Sequence, residues 1–355
     1  MLTKKQSEEI IEHLEKAQNP IFFFDNDCDG LMSCVLLRRY IGRGKGVIIK
    51  SFPELDISYV RKISELRADY VFILDKPLVS REFIEEVKKL GLPIVWIDHH
   101  YLDEESFGKI KNMDINYYNP FIDEKNGVTA SVAYIIYKVI ERKEDLWLAV
   151  IGCISDLFLP DFIDEFKKEY PELWKDKVKT AFEAYYETEI GKIARILNAA
   201  LKDRTSNVVS MLNFLFKVKS PLDILIENNE NAKIHKRFKQ INHFHQKILE
   251  KAKKIANKKS KIIYFQYGGE LSISADIANE LLHLYPKKII IVAYAKGNKA
   301  NISIRGKQEV RKMTLKALEG LENATGGGHK NATGATMPIS CLEKFRENFI
   351  KAMKS

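Results

Sequence analysis

Cysteine is scarce: Cys28, Cys34, Cys153 and Cys341 are the four in 355 residues, and no two form a Cys-x-x-Cys pair. That excludes a zinc knuckle and a disulfide framework and leaves the four to behave as small buried hydrophobes. No run of about 18 apolar residues occurs, so no membrane-spanning helix is expected. The opening Met1-Leu-Thr-Lys-Lys5 lacks the apolar core of a signal peptide, and the expected location is the cytoplasm. Internal repeats and low-complexity segments are missing too, while an apolar content of 45% is ordinary for a globular chain long enough for two domains.

Charge is present in quantity and unevenly placed. The net charge is +9, yet from Lys219 onward 26 Lys and Arg stand against 12 Asp and Glu, whereas before that point the balance is 31 against 36. This fits a division of labour in which acidic residues hold metal and basic ones hold a polyanion, and equally a solvated basic surface without a partner.

Short apolar runs alternate with helical stretches in the first hundred residues. Ile21 to Phe24, Val47 to Phe52, Tyr70 to Leu74 and Pro93 to Ile97 read as strands, with helices over Leu31 to Ile41, around Ile57 to Leu66 and over Ser80 to Leu90. Runs unbroken by polar residues are the mark of parallel strands covered on both faces, which predicts a doubly wound α/β domain. Thr3-x-x-Gln6 reads as a capping box for a helix ahead of it. From about Val128 to Phe216 the periodicity is helical, and Gly127-Val-Thr129-Ala-Ser131 suits a helix cap or a hydroxyl-lined anion site. Ser220-Pro221 marks a boundary. Beyond it, Lys233 to Lys261 holds eleven basic residues and one Glu, with Ile234, Phe238, Ile241, Ile248 and Ile255 on one face of an amphipathic helix. The last section reads as a smaller α/β unit with strands near 261–266, 288–294 and 299–305 and helices near 275–285, 309–321 and 342–353. The division expected is 1–219 for a catalytic domain, 220–260 for a basic helical linker and 261–355 for a second α/β domain.

Three strands deliver acidic residues at their carboxyl ends: Asp25, Asp27 and Asp29 after the first, Asp75 after the third, and Asp98-His99-His100 after the fourth. In an open parallel sheet those ends share one edge, where ligands bind. Carboxylates crowded there repel one another unless protons or cations intervene. Oxygen-rich ligands with one or two imidazoles suit Mn²⁺ or Mg²⁺, and two such ions activate water and stabilise the departing oxygen of a phosphoester. The turn at Gly30 is expected to bend the chain around a cation, and Asp25 is the candidate for a helix cap instead. Asp156, closing the apolar stretch Leu146 to Ile154, needs either a metal or a Lys or Arg partner, with Asp161 as a competitor. Gly326-Gly327-Gly328-His329 reads as a loop whose N–H groups face an anion, with Ser303, Arg305 and Lys330 as further phosphate contacts; a plain flexible turn is the alternative.

On these residues the chain resembles the DHH phosphoesterases: Asp98-His99-His100, the Asp-x-Asp-x-Asp-Gly box at Asp25 to Gly30, the strand-end Asp75 and the Gly-x-x-x-Asp box at Gly152 to Asp156. Its tail resembles the DHHA1 domain, with Gly-Gly-Gly-His at Gly326 to His329. The resemblance implies that Asp25, Asp27, Asp29, Asp75, His99 and Asp156 ligate two Mn²⁺ or Mg²⁺ ions, that Asp98 supports them and that His100 contacts the scissile phosphate. It also implies that Arg305 and Gly326 to His329 hold the rest of the substrate.

Asp25, where small-molecule members more often carry His, makes the chain similar to the RecJ branch of single-strand nucleases. Lys76-Pro77 after Asp75 departs from bacterial RecJ, and the short stretch after His329 leaves no room for an OB-fold. The plan is more similar to short archaeal RecJ-like proteins, including the Hef-associated nuclease type, which implies 3′-to-5′ exonuclease action in repair or replication with a partner such as Hef, and a homodimer as an option. The alternatives are a phosphodiesterase for short oligonucleotides or cyclic dinucleotides, and an inactive subunit of a replication or repair complex.

Overall fold

The computed structural model describes every residue except 52, 103, 121–129, 257–259 and 355, and backbone alone at 104–106, 329 and 354. In chain order its first part comprises α1 (Lys4–Lys16), β1 (Pro20–Phe24), α2 (Cys28–Ile41), β2 (Lys45–Ile48), α3 (Val60–Glu65), β3 (Tyr70–Leu74), α4 (Arg81–Lys89), β4 (Ile94–Ile97), α5 (Glu104–Lys111), β5 (Asn116–Tyr118), α6 (Val132–Ile140) and α7 (Leu146–Ser155). There follow α8 (Ile163–Glu169), α9 (Ala181–Glu187), α10 (Glu189–Leu201), α11 (Thr205–Leu215), α12 (Pro221–Leu225) and α13 (Ala232–Ile255). The last part holds β6 (Ile262–Gly268), α14 (Ser274–Leu284), β7 (Ile289–Lys296), β8 (Lys299–Arg305), α15 (Val310–Leu318), β9 (Thr325–His329), β10 (Ala332–Pro338) and α16 (Leu342–Lys354). The chain divides into Met1–Lys239 and Gln240–Ser355, within α13.

The first sheet runs β2-β1-β3-β4-β5 with every pairing parallel. Its strands read as unbroken apolar runs because each face is covered. Phe22, Phe24, Phe72, Leu74, Val95 and Ile97 enter one core with α2, α6, α7 and α10, while Ile21, Phe23, Val71, Ile73 and Trp96 enter a second with Phe83 and Val87 of α4. The order 2-1-3-4-5 has its switch point between β1 and β3, which is where a doubly wound sheet opens a crevice at its carboxyl ends. The capping box of Thr3 and Gln6 is present. β5 is a strand where a loop was expected; three residues beginning with Asn116 carry too little pattern to announce it. Of Gly127 to Ser131, residues 127–129 lie outside the described residues, and Ser131 caps α6 through Tyr134 N–H at 3.2 Å.

The second sheet runs β6-β7-β8-β10-β9, with β6 and β7 parallel and the rest antiparallel. Two cores flank it. On α13, Ile234 joins the core of the first unit and Ile248, Leu249 and Ala252 a core of the second. Ile255 does not continue the apolar face; it is exposed, because the helix ends there. Among the described residues no helix is long and apolar enough to cross a membrane.

Candidate metal centre

Asp25, Asp75 and Asp98 are each the first residue beyond a strand, and each is still tied to the neighbouring strand. The Asp25 N–H donates to the Leu74 carbonyl (3.2 Å), Asp75 N–H to Ile97 (3.0 Å) and Asp98 N–H to Tyr118 (3.0 Å). The sheet itself therefore sets three carboxylates in a row along its carboxyl edge. Asp75 sits in left-handed backbone, φ 57°, a conformation a non-glycine residue keeps only when its surroundings impose it.

Two further carboxylates arrive from α2. Asp27, not Asp25, is its N-cap, taking the Gly30 N–H at 2.9 Å. Asp29 is buried in the first turn and accepts the N–H groups of Val132 (2.7 Å) and Ala133 (2.9 Å) at the start of α6, where the helix end favours negative charge. Gly30 is not a turn; it lies inside the helix. A Cβ there would stand 2.8 Å from the Asp25 carbonyl oxygen, so the glycine lets α2 close against the strand end. Gly152 does the same for α7, since a Cβ would come within 2.4 Å of the Ala133 Cβ and 3.2 Å of Asp29 Oδ1. The Gly-x-x-x-Asp spacing thus brings α7 near enough for Asp156, its C-cap, to reach the cluster.

His99 joins these groups. Its Nε2 lies 3.3 Å from Asp75 Oδ1 and its Nδ1 3.7 Å from Asp156 Oδ2, the latter too long for a hydrogen bond. Ligand atoms of Asp29, His99 and Asp156 lie within 4.8 Å of one another, as do those of Asp75, His99 and His100. Asp161 does not compete: it pairs with Lys138 at 2.9 Å.

Electrostatics show what the arrangement wants. Burial, then Asp156 and Asp27, push Asp29 well above the usual carboxylate range; burial, then Asp27, Asp29, Asp156 and Asp25, do the same to Asp75. Asp25 is raised by burial and Asp27 against the pull of Lys76, and Asp156 by burial and Asp27 against the pull of His99. Asp156 also stands at a helix C-terminus, which disfavours a carboxylate. Asp75 Oδ2 is buried with no hydrogen-bond partner among the described residues. An orphaned buried carboxylate oxygen, amid oxygen donors and one imidazole, fits a hard divalent cation.

Beside this set, Asp98 and His100 form a pair. Asp98 is fully buried and accepts from His100 Nδ1 (2.9 Å) and its backbone N–H (3.2 Å). Burial works against both charges, but the pair prevails: the imidazolium holds Asp98 below the usual carboxylate range, and Asp98 lifts His100 to about 9. Tyr117 and Asn119, which the sequence reading did not single out, support it. Asn119 Nδ2 donates to the His100 carbonyl (2.9 Å) and to the Tyr117 hydroxyl (2.8 Å), and burial and Asp98 raise the Tyr117 hydroxyl. The sequence offered little signal for them: Tyr117 lies on a strand too short to see and Asn119 directly follows that strand.

In the second unit, Ser303 and Arg305 lie on β8. Ser303 Oγ is buried against Ser274 Oγ (2.9 Å), and Arg305 bonds to Asn279 Oδ1 (2.5 Å) and the Thr333 carbonyl (3.1 Å). Gly326 to His329 is no loop but strand β9, paired with β10. Ser303, Gly334 and Gly327 share one cross-strand row, and Arg305, Ala332 and His329 another. Gly328 has φ 129°, which requires glycine. Lys330 is exposed at the turn.

A model of the DHH family, N-terminal domain, matches residues 21–157, and one of the DHHA1 domain matches 257–355. RecJ from Thermus thermophilus in complex with Mn²⁺ is similar at 16% identity and TM-score 0.69, with 99% of this chain and 54% of that one covered. This chain thus spans about half the length of that protein. Exonuclease RecJ bound to manganese is similar at 17% identity and TM-score 0.64, over 99% of this chain and 94% of the other. The DHH domain of a member of the s1p family of ribosomal proteins is similar at 15% and 0.70, over 98% and 89%. Such identities establish shared fold. No curated protein sequence matches.

Proposed function

The chain belongs to the DHH family, with a DHHA1 domain behind the DHH domain, and on that premise we propose that it is a divalent-metal-dependent exonuclease acting on single-stranded nucleic acid, 3′-to-5′, in repair or replication. The observation that carries the reading is Asp75 Oδ2, buried and without a hydrogen-bond partner among the described residues, beside His99 and near Asp25, Asp29 and Asp156, each raised above the usual carboxylate range. Asp27, Asp29, Asp75, His99 and Asp156, with Asp25 beside them, are the groups to hold Mn²⁺ or Mg²⁺; the solved RecJ likenesses with Mn²⁺ support that choice. When bound, such a cation supplies a water of lowered pKa and a Lewis acid for the phosphoryl oxygen.

The chain's own groups supply the rest. His100, cationic at neutral pH, donates Nδ1–H to Asp98 and is the group proposed to meet a phosphate oxygen. Asp98, fixed by β4 and the His100 backbone, keeps that ring charged and oriented. Exposed Lys236, Lys247, Lys251 and Lys254 of α13 offer sequence-independent contacts to a phosphate backbone. Arg305 with β9, from the DHHA1 domain, is the candidate for the distal phosphates.

The test is a time course on 5′- and 3′-labelled single-stranded DNA and RNA with Mn²⁺. A ladder shortening from the 3′ end is expected. Turnover of dinucleotides with a 20-mer untouched would move the assignment to a short-oligonucleotide phosphodiesterase, and no turnover of any substrate would leave a binding subunit.

A further inference from the structure

We propose that Lys76 is a built-in cation of this centre: its ammonium occupies the Asp25 side, where a second divalent ion would otherwise be held, so that the chain keeps one resident divalent ion, among Asp27, Asp29, Asp75, His99 and Asp156. The proposal rests on the metal reading above and deepens it.

Lys76 follows Asp75 directly, and its side chain is 4% exposed. Lysine is almost never buried to that degree unless paired, because withdrawing an ammonium from water is costly. Its partner is Asp25: Nζ donates to Oδ1 at 2.9 Å, with the Ser51 carbonyl at 3.5 Å. The pose is held from behind as well. Trp96 Nε1 donates to the Lys76 carbonyl at 2.8 Å, and the left-handed Asp75 sets the direction in which the chain leaves β3.

The geometry sorts the acidic groups into two sets. Asp29, His99 and Asp156 converge, and Asp75 meets His99, whereas Asp25 is already neutralised by an ammonium. A divalent ion placed on Asp25 would stand beside that ammonium in a site of low dielectric, where like charges repel strongly. Swinging the Lys76 ammonium aside would leave it buried without Asp25, the carboxylate that pairs it. Lys76 is therefore a positioning residue that sets the number of ions.

The experiment is Mn²⁺ loading of the full chain, read by elemental analysis after desalting and by electron paramagnetic resonance. One ion per wild-type chain with an uncoupled spectrum, and a second ion with exchange coupling in Lys76→Gln, is the expected result. A coupled pair in the wild type overturns the proposal while leaving the metal reading intact. A single ion in both proteins also overturns it, since Lys76 would then not be what excludes the second. No ion in either overturns the metal reading and this inference together. Should Lys76→Gln fail to fold, Lys76→Met, which keeps a buried apolar stem without the ammonium, replaces it with the same two readings: a second, coupled ion supports the proposal and a single ion overturns it.

Discussion

Replacing Asp98 with Asn removes one charge from a fully buried position and little volume, so its effect isolates the coupling to His100. Burial alone would lower the imidazole below its ordinary 6.5, yet with the carboxylate at 2.9 Å it stands at about 9. The rise corresponds to about 3 kcal/mol of preference for the charged ring, and His100 is only 25% exposed, so solvent screening leaves most of it. At pH 7.5 the wild-type ring is thus protonated by about 30 to 1. In Asp98→Asn only Asp156 and Asp27 still oppose burial, and the midpoint falls well below the wild-type value. Histidine ring resonances followed by NMR in the metal-free protein read both values. Hydrolysis at pH 7.5 should fall by roughly 10- to 100-fold, the worth of one hydrogen bond from a charged donor. The pair also stabilises the fold: His100, raised, contributes stability in full below 6.5 that is lost as pH rises through about 9, and Asp98, lowered, contributes stability that is lost only as pH falls through its depressed value. A wild-type His100 midpoint below 7, or an unchanged midpoint in the variant, would refute the coupling.

Other consequences follow from the same geometry. Asp29 and Asp75 are raised, so their contribution to stability is present below the usual carboxylate range and lost as pH rises through their folded values. The metal-free protein should accordingly melt higher at pH 5 than at pH 8 by scanning calorimetry, and the gain from Mn²⁺ should be larger at pH 8; a larger gain at pH 5 contradicts the crowding. Gly152→Ala drives a methyl against Ala133 and should cost about 1–3 kcal/mol by denaturant unfolding and weaken Mn²⁺ binding, whereas wild-type values for both would show that the close approach of α7 is not needed.

Much of this was legible because it rests on local pattern. Phe22, Phe24, Phe72 and Leu74 announce doubly covered parallel strands, and where such strands stop is where Asp25, Asp75 and Asp98 stand. What was not legible depends on partners distant in sequence. Asp27 and Asp29 look alike in the Asp-x-Asp-x-Asp-Gly box, but one caps its own helix and the other meets α6 about a hundred residues later. Gly326 to Gly328 suggested a loop because glycine is frequent in turns; pairing with Thr333 to Ala335 makes the segment a strand. Lys76 stood out only as a departure, and its bond to Asp25 exists because β1 and β3 are neighbours in the sheet.

The most direct test of the account is hydrolysis of a labelled single strand by wild type and by Asp75→Ala, with Mn²⁺ supplied and binding to the strand measured alongside. Loss of hydrolysis with binding largely retained is the result predicted; cleavage by Asp75→Ala at the wild-type rate would contradict it.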